Sequence, residues 1–332
     1  MQTLPIIDIG PLSEPYSEAW QPVISAIDSA CRNSGFFYVK NHGISPEQMQ
    51  SMFALSASFF NLPYPEKESI AISESHNHRG WGHTGAEQLD PEAPTDWKET
   101  FDMALDLHKD HPLSQACPEF YGPNRYPQMA TFQQSMNQHY ELLSRLSMQI
   151  LEAIALALKE PKDFFTACFE GQTSVLRLLH YPPRTSESSA ALDQAAGAHT
   201  DYGCITLLAQ DDVGGLEVQA NDGQWISAPP VENTFVVNIG DLMQRWTNDQ
   251  YKSTAHRVKS PPPYVHRYAI PFFVEPRFDT QVDCIKSCVP EGQVKKYEAV
   301  ESGAWIKSRF DATYDYRKES EALTAANDEV VA

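Results

Sequence analysis

Apolar positions along this chain follow two periods, and the change from one to the other marks its organisation. Near the start, the segments PIIDIG (5–10) and GFFYVKNHG (35–43) have the β-branched and aromatic character of short strands. Between them, Val23, Ile27 and Cys31 recur at i, i+4 and i+8, which predicts a helix over 17–32 with Gly35 near its end. Ser45, Pro46 and Gln48 then combine an N-cap serine, a proline at the first helical position and a glutamine three residues on, leading into a second helix through 49–60. A third helical pattern, carried by Leu142, Leu146 and Ile150, spans 126–159 and stops at Pro161.

From Thr173 to Glu275 the texture changes to short β-rich runs: SVLRLLHY, CITLLAQ, GLEVQ, TFVVNIG, AHRVK and RYAIPFF, with no helical pattern between them. Turns come from Gly214-Gly215, Asn221-Asp222-Gly223 and Pro261 to Pro263. Six or more strands at this spacing argue for an antiparallel sandwich or barrel. The pattern becomes helical again over 297–314, and ESEALTAANDEVVA reads as a loosely ordered polar tail. The expected organisation is therefore an N-terminal mixed scaffold (1–172), a β core (173–275) and a C-terminal helical segment with its tail (276–332), all in one structural unit. The fold class is mainly β with flanking helices.

Composition narrows the function classes. At 332 residues, with 42% hydrophobic and 21% charged positions, the chain suits a soluble globular protein with a sizeable core. Twenty-five basic against 44 acidic residues give a net charge of −19, and no basic cluster offers a footprint for nucleic acid. No apolar run has the length of a membrane span. No basic stretch precedes an apolar core at the N-terminus, so the expected compartment is the cytoplasm. The six cysteines are scattered and read as free thiols; Cys284 and Cys288 lack the second pair that a structural zinc site would require.

The chemistry resides in the β-rich region. His199 and Asp201 are two residues apart, so on an extended segment both side chains leave one face. His256 follows 55 residues later (256 − 201), a distance that several antiparallel strands fill before returning beside the first pair. Two imidazoles and a carboxylate on one face of a ferrous ion leave its other face open to oxygen and an organic ligand. Arg267 adjoins the apolar run Tyr268 to Phe273, where an unpaired guanidinium costs several kcal/mol, so an anion should meet it. Taken singly, each has a plainer reading: a His-x-Asp surface turn, a core histidine, or an arginine paired with Asp201 or Asp241.

The stretches HTDYGCITLLAQDDVGGLEVQ, FVVNIGDLMQRWTND, YKSTAHRV and RYAIPFF, together with PIIDIG, GFFYVKNHGI, HYPP and RFDATY, resemble the iron- and 2-oxoglutarate-dependent dioxygenases of the isopenicillin N synthase-like superfamily. The resemblance covers nearly the whole chain. It implies a double-stranded β-helix, or jelly roll, with His199, Asp201 and His256 as iron ligands. Arg267 would hold the distal carboxylate of 2-oxoglutarate, and the hydroxyl of Tyr181 would reach the same group. The cofactors implied are Fe(II), 2-oxoglutarate as cosubstrate and molecular oxygen. A small molecule would be oxidised with release of succinate and carbon dioxide.

One departure stands out. The family usually carries Arg-x-Ser where this chain has Arg267-Tyr268-Ala269, which removes a hydrogen bond to that carboxylate. This keeps two alternatives open: an oxidase or cyclase that does without 2-oxoglutarate, as isopenicillin N synthase does, and an ethylene- and succinate-forming enzyme. A non-catalytic binding protein is a third. For the substrate, Arg79-Gly80-Trp81 resembles a substrate-facing loop of relatives, with Arg79 a candidate for a substrate carboxylate. Trp81, Phe101, Tyr202, Trp246 and Phe273 are candidate pocket walls, and Lys98 and Glu99 read as a structural ion pair.

Overall fold

The computed structural model describes residues 3–184, 194–314, 316 and 317. Its strands are β1 (Ile6–Asp8), β2 (Phe36–Lys40), β3 (Gly80–Gly82), β4 (Glu99–Met103), β5 (Val175–Tyr181), β6 (Gln194–His199), β7 (Ile205–Gln210), β8 (Leu216–Gln219), β9 (Trp225–Ser227), β10 (Phe235–Ile239), β11 (His256–Lys259) and β12 (Arg267–Val274), with a small pair β13 (Gln281–Val282) and β14 (Val300–Glu301). The helices are α1 (Gln21–Asn33), α2 (Pro46–Phe60), α3 (Tyr64–Glu68), α4 (Pro112–Ala116), α5 (Phe132–Ala157), α6 (Asp241–Trp246) and α7 (Ser302–Thr313).

Eight strands form one sheet in the order β1-β2-β10-β7-β12-β5-β4-β3, and four form a second in the order β6-β11-β8-β9. The two sheets make the double-stranded β-helix. Every pairing is antiparallel except β1 with β2. Four strands of the N-terminal stretch thus extend the core sheet at both edges.

Strand alternation sorts the eight-stranded sheet into two faces. Phe101, Leu178, Leu207 and Phe272 are buried in one cluster with residues of α1, α2 and α5, among them Ile27, Phe59 and Leu143. Tyr181, Ala269 and Val236 cluster instead with Ala196, Leu216 and Val258 of the second sheet. Functional groups belong to this inner layer.

The α2 start is a complete capping box: Ser45 Oγ accepts from Gln48 N at 3.3 Å, and Gln48 Oε1 accepts from Ser45 N at 2.8 Å. Helix α1 begins four residues later than the periodicity predicts, after a 3-10 turn at Glu18–Trp20. Helix α5 begins at Phe132 rather than near 126, because Thr131 adopts a left-handed backbone (φ 65°) after Pro127. Helix α7 is likewise shorter than the 297–314 pattern. The β-rich stretch holds two strands that its pattern does not announce, β6 and β9, and one helix, α6. Strand β6 reads QAAGAH, without a β-branched residue, and it forms through pairing with β11. The polar tail beyond 317 lies outside the described residues.

Candidate metal centre and active site

His199 closes β6, and β11 begins with His256 directly opposite it in register. Asp201 follows two residues beyond β6. Its backbone carbonyl accepts from Asp241 N at 2.8 Å, where α6 begins. Gly240 makes this approach feasible, since a Cβ there would collide with the carbonyl of Gly203. One potential ligand atom from each of His199, Asp201 and His256 lies within 4.8 Å of the others. His199 Nε2 and His256 Nε2 stand 3.9 and 3.7 Å from Asp201 Oδ1.

The remaining atoms of the three side chains are already engaged. His199 Nδ1 is 2.8 Å from the Gly197 carbonyl and His256 Nδ1 is 3.3 Å from that of Thr254. Carbonyls only accept, so these contacts fix the proton on Nδ1 and leave both Nε2 lone pairs free. Asp201 Oδ2 accepts from Thr206 Oγ1 at 2.5 Å and Asn238 Nδ2 at 2.7 Å, which leaves Oδ1 facing the imidazoles. Burial and the neighbouring His256 hold His199 well below the usual imidazole range, so it is neutral. Burial pushes Asp201 up, but the two imidazoles and the Thr206 and Asn238 hydrogen bonds outweigh it and hold the carboxyl below its ordinary value. Two imidazoles and a carboxylate are a donor set suited to a ferrous ion.

The triad opens on a cavity of about 100 Å³, well above the roughly 10–15 Å³ that one water needs. Arg267 lies within it at 1% exposure. Its Nε donates to the Gly214 carbonyl at 2.5 Å, presented by a turn in which Gly214 and Gly215 both have positive φ. Its guanidinium stands 4.6 Å from the ring centre of Tyr181, its register partner on β5. Its Nη1 is buried without a hydrogen-bond partner, and among the described residues no carboxylate forms an ion pair with it. Ala269 sits two residues along on the same strand face and lines the same cavity. The residues present therefore fit both a metal and a carboxylate ligand.

The candidate substrate residues divide. Tyr202 and Phe273 line the cavity. Phe101 is packed between Phe59 and Phe132, Trp246 against Phe165, and Trp81 against Tyr64 with its Nε1 donating to Glu99 Oε2. Arg79 is corrected most sharply. At 3% exposure it donates to the carbonyls of Asn77, His78 and Phe120, and it does not line the cavity. Lys98 and Glu99 point to opposite faces of the sheet. Lys98 pairs with Glu87 at 2.7 Å and Asp96 at 2.6 Å, whereas Glu99 pairs with Lys67 at 2.7 Å.

Single-residue alternation explains the division: Phe101 opposes Leu178 on the helix side, while Asp102 opposes Arg177 on the cavity side. Arg177, Glu87, Lys98, Glu275, Phe310 and Tyr314 also line the cavity and were not among the predicted site residues. Arg177 was within reach, because it shares a strand face with Tyr181. Phe310 and Tyr314 belong to RFDATY, one of the stretches that carry the resemblance, but nothing local places them at the cavity; α7 and its C-cap bring them there, secured by Tyr202 Oη to Thr313 Oγ1 at 2.7 Å and Trp305 Nε1 to the Tyr202 carbonyl at 3.1 Å.

Facing sheets with two histidines and a carboxylate at their mouth define a non-haem iron oxygenase. Comparison with known proteins names the family. Residues 172–276 match the 2OG-Fe(II) oxygenase superfamily, and residues 4–129 match the N-terminal region described as that of a non-haem dioxygenase in morphine synthesis. The chain is 32% identical over 324 residues to the 2-oxoglutarate-Fe(II) type oxidoreductase hxnY of Emericella nidulans, covering 95% of this chain and 93% of that one. It is 37% identical over 318 residues to a homoarginine-6-hydroxylase of Oryza sativa subsp. japonica, covering 91% and 94%. Its structure is similar to that of a full-length Neurospora crassa protein solved with alpha-KG (2-oxoglutarate) and thymine, with a TM-score of 0.82, 33% identity and coverage of 93% and 96%. The chain belongs to the 2OG-Fe(II) oxygenase superfamily. It is a non-haem iron, 2-oxoglutarate-dependent dioxygenase that uses Fe(II), 2-oxoglutarate and oxygen. No helix among the described residues is long and apolar enough to cross a membrane.

Proposed function

We propose that His199, Asp201 and His256 hold the iron, and that Arg267, seated on Tyr181, takes the distal carboxylate of 2-oxoglutarate. The substrate is a small molecule bound between the triad and α7. The observation that carries this reading is the buried Arg267 Nη1, which has no partner and lies in the same cavity as the triad. A buried guanidinium left so costs several kcal/mol, and a carboxylate removes that cost with charge-assisted hydrogen bonds.

Bound iron and 2-oxoglutarate supply the oxidising power, with succinate and carbon dioxide released. This chain's own residues orient and shield. Thr206 and Asn238 keep Asp201 Oδ1 turned to the metal, and the Gly197 and Thr254 carbonyls set the imidazole tautomers. Tyr202, Phe273 and Phe310 exclude water from the reaction face. We place the chain in the isopenicillin N synthase-like branch, on the support of an N-terminal region whose β1 to β4 extend the core sheet.

The test is anaerobic titration of Fe(II) and 2-oxoglutarate, followed by visible spectroscopy. The wild type should develop a charge-transfer band, and Arg267→Met should need far more 2-oxoglutarate for the same band while binding iron normally. His256→Ala should lose both. A wild-type protein that binds iron and shows no band would overturn the reading.

A further inference from the structure

The cavity wall away from Arg267 is rich in charge, yet its cations are already matched. Arg177 donates to both oxygens of Asp102 at 2.6 and 2.8 Å, to Glu87 at 3.2 Å and to the Tyr314 hydroxyl. Lys98 is held between Glu87 and Asp96. Behind them, Arg79 is committed to three carbonyls. Neither cation on this wall is left for a substrate carboxylate.

Glu275 is the exception. It follows β12, is 4% exposed and lines the cavity, and its carboxyl has no hydrogen-bond or ion-pair partner among the described residues. Its location is next to the reaction face: a Cβ placed on Gly203, two residues past Asp201, would meet Glu275 Cγ at 2.9 Å. Tyr202, Phe273 and Phe310 line the same space, and aromatic walls suit a planar ring.

We propose that Glu275 is the substrate anchor of this enzyme, its carboxyl pairing with an uncharged ring that presents an N–H beside a C=O, as in a lactam, an imide or a nucleobase edge. A carboxyl group that keeps its proton offers one O–H donor and one carbonyl acceptor side by side, which is the complement of that edge. In the metal-free protein, burial, with Asp201 nearby, pushes Glu275 up to about 8 against the opposing pull of Arg79 and Arg177, which favours the protonated form. A cationic head group would meet Arg177 and Lys98 in the same wall. The inference rests on the open side of His199, Asp201 and His256 being the reaction face.

The experiment is calorimetric titration of protein loaded with Mn(II), in place of iron, and 2-oxoglutarate. The probes are thymine, 2-piperidone, 1-methyl-2-piperidone, cyclohexanecarboxylate and cyclohexylammonium. Thymine or 2-piperidone should bind the wild type, bind Glu275→Gln within about threefold, and bind Glu275→Leu about tenfold or more weakly. Glutamine preserves the paired donor and acceptor, and leucine removes both. The N-methyl lactam, which lacks the N–H, should bind the wild type about tenfold more weakly than 2-piperidone, a comparison that needs no variant.

The proposal is overturned if neither neutral ring binds, if Glu275→Leu or N-methylation changes nothing, or if a charged probe binds more tightly than the neutral rings. The heat of 2-oxoglutarate binding separates the two levels of argument. Its loss in the wild type sinks the site assignment, whereas its retention without ring binding sinks only the role of Glu275.

Discussion

Replacing Ala269 with serine should tighten 2-oxoglutarate binding by about tenfold or more. Ala269 is 1% exposed, lies on the same face of β12 as Arg267 and lines the cavity in which Arg267 Nη1 has no partner. Its strand partners, Leu179 and Gln210, offer no hydroxyl of their own. A serine Oγ here would add one hydrogen bond to a charged acceptor, worth about 1.5–3 kcal/mol. At about 1.4 kcal/mol per decade, that is a gain of about ten- to one-hundred-fold in affinity. Without ligand the same hydroxyl has polar groups near it, since Gln210, the strand partner of Ala269, and Arg267 each hold a buried atom without a partner, so the ligand-free variant should melt close to the wild type. Anaerobic titration of 2-oxoglutarate at saturating iron measures the gain in affinity, and thermal unfolding without ligand checks that the variant is folded. An affinity unchanged within twofold in a folded variant would refute the reasoning, because the carboxylate would then not lie against position 269.

Three further outcomes are expected. Asn238→Leu removes a donor from Asp201 Oδ2 and should weaken iron binding by about 10–100-fold, measured by metal competition. Phe101→Ala should cost about 3–5 kcal/mol of stability by denaturant unfolding while kcat on the natural substrate stays near wild type, since the ring packs against Phe59 and Phe132 and not in the cavity; a large loss of kcat in folded protein would return it to the pocket. Stability of the metal-free protein should respond to pH through Glu275. Its folded value is raised, so the stability it contributes is complete below the ordinary carboxylate range and is lost as pH rises toward about 8. Glu275→Gln has no proton to lose, so its melting temperature should gain on the wild type between pH 5 and pH 9, and a constant difference would count against a buried, protonated Glu275.

Much of the site was legible because it rests on local rules. The two-residue spacing of His199 and Asp201, the return of His256 at the start of a strand and the isolated arginine beside an apolar run are readable without any tertiary knowledge. So is the capping box at Ser45, which satisfies its own backbone donors. Trp81, Phe101 and Trp246 were drawn into the candidate pocket because aromatic character does not reveal which face of a strand, or which side of a helix, will be buried against what. In β4 the difference between the helix-side core and the cavity side of the sheet is one residue, Phe101 against Asp102, the partner of the cavity-lining Arg177. Arg79 shows the complementary problem, for a loop arginine looks available until backbone carbonyls from three residues surround it.

By itself, then, the sequence determined the donor set, the β-rich core that carries it and the arginine that requires an anion, because residue identity, spacing and alternation act over a few positions. Only the tertiary structure decided which cations are already spent, that α7 brings Phe310 and Tyr314 into the cavity, and that Glu275 is left facing it without a partner. The physical reason is that neutralisation and burial are pairwise facts between distant segments. Arg177 meets Asp102 across 75 positions and Tyr314 across 137, and no local pattern encodes those meetings.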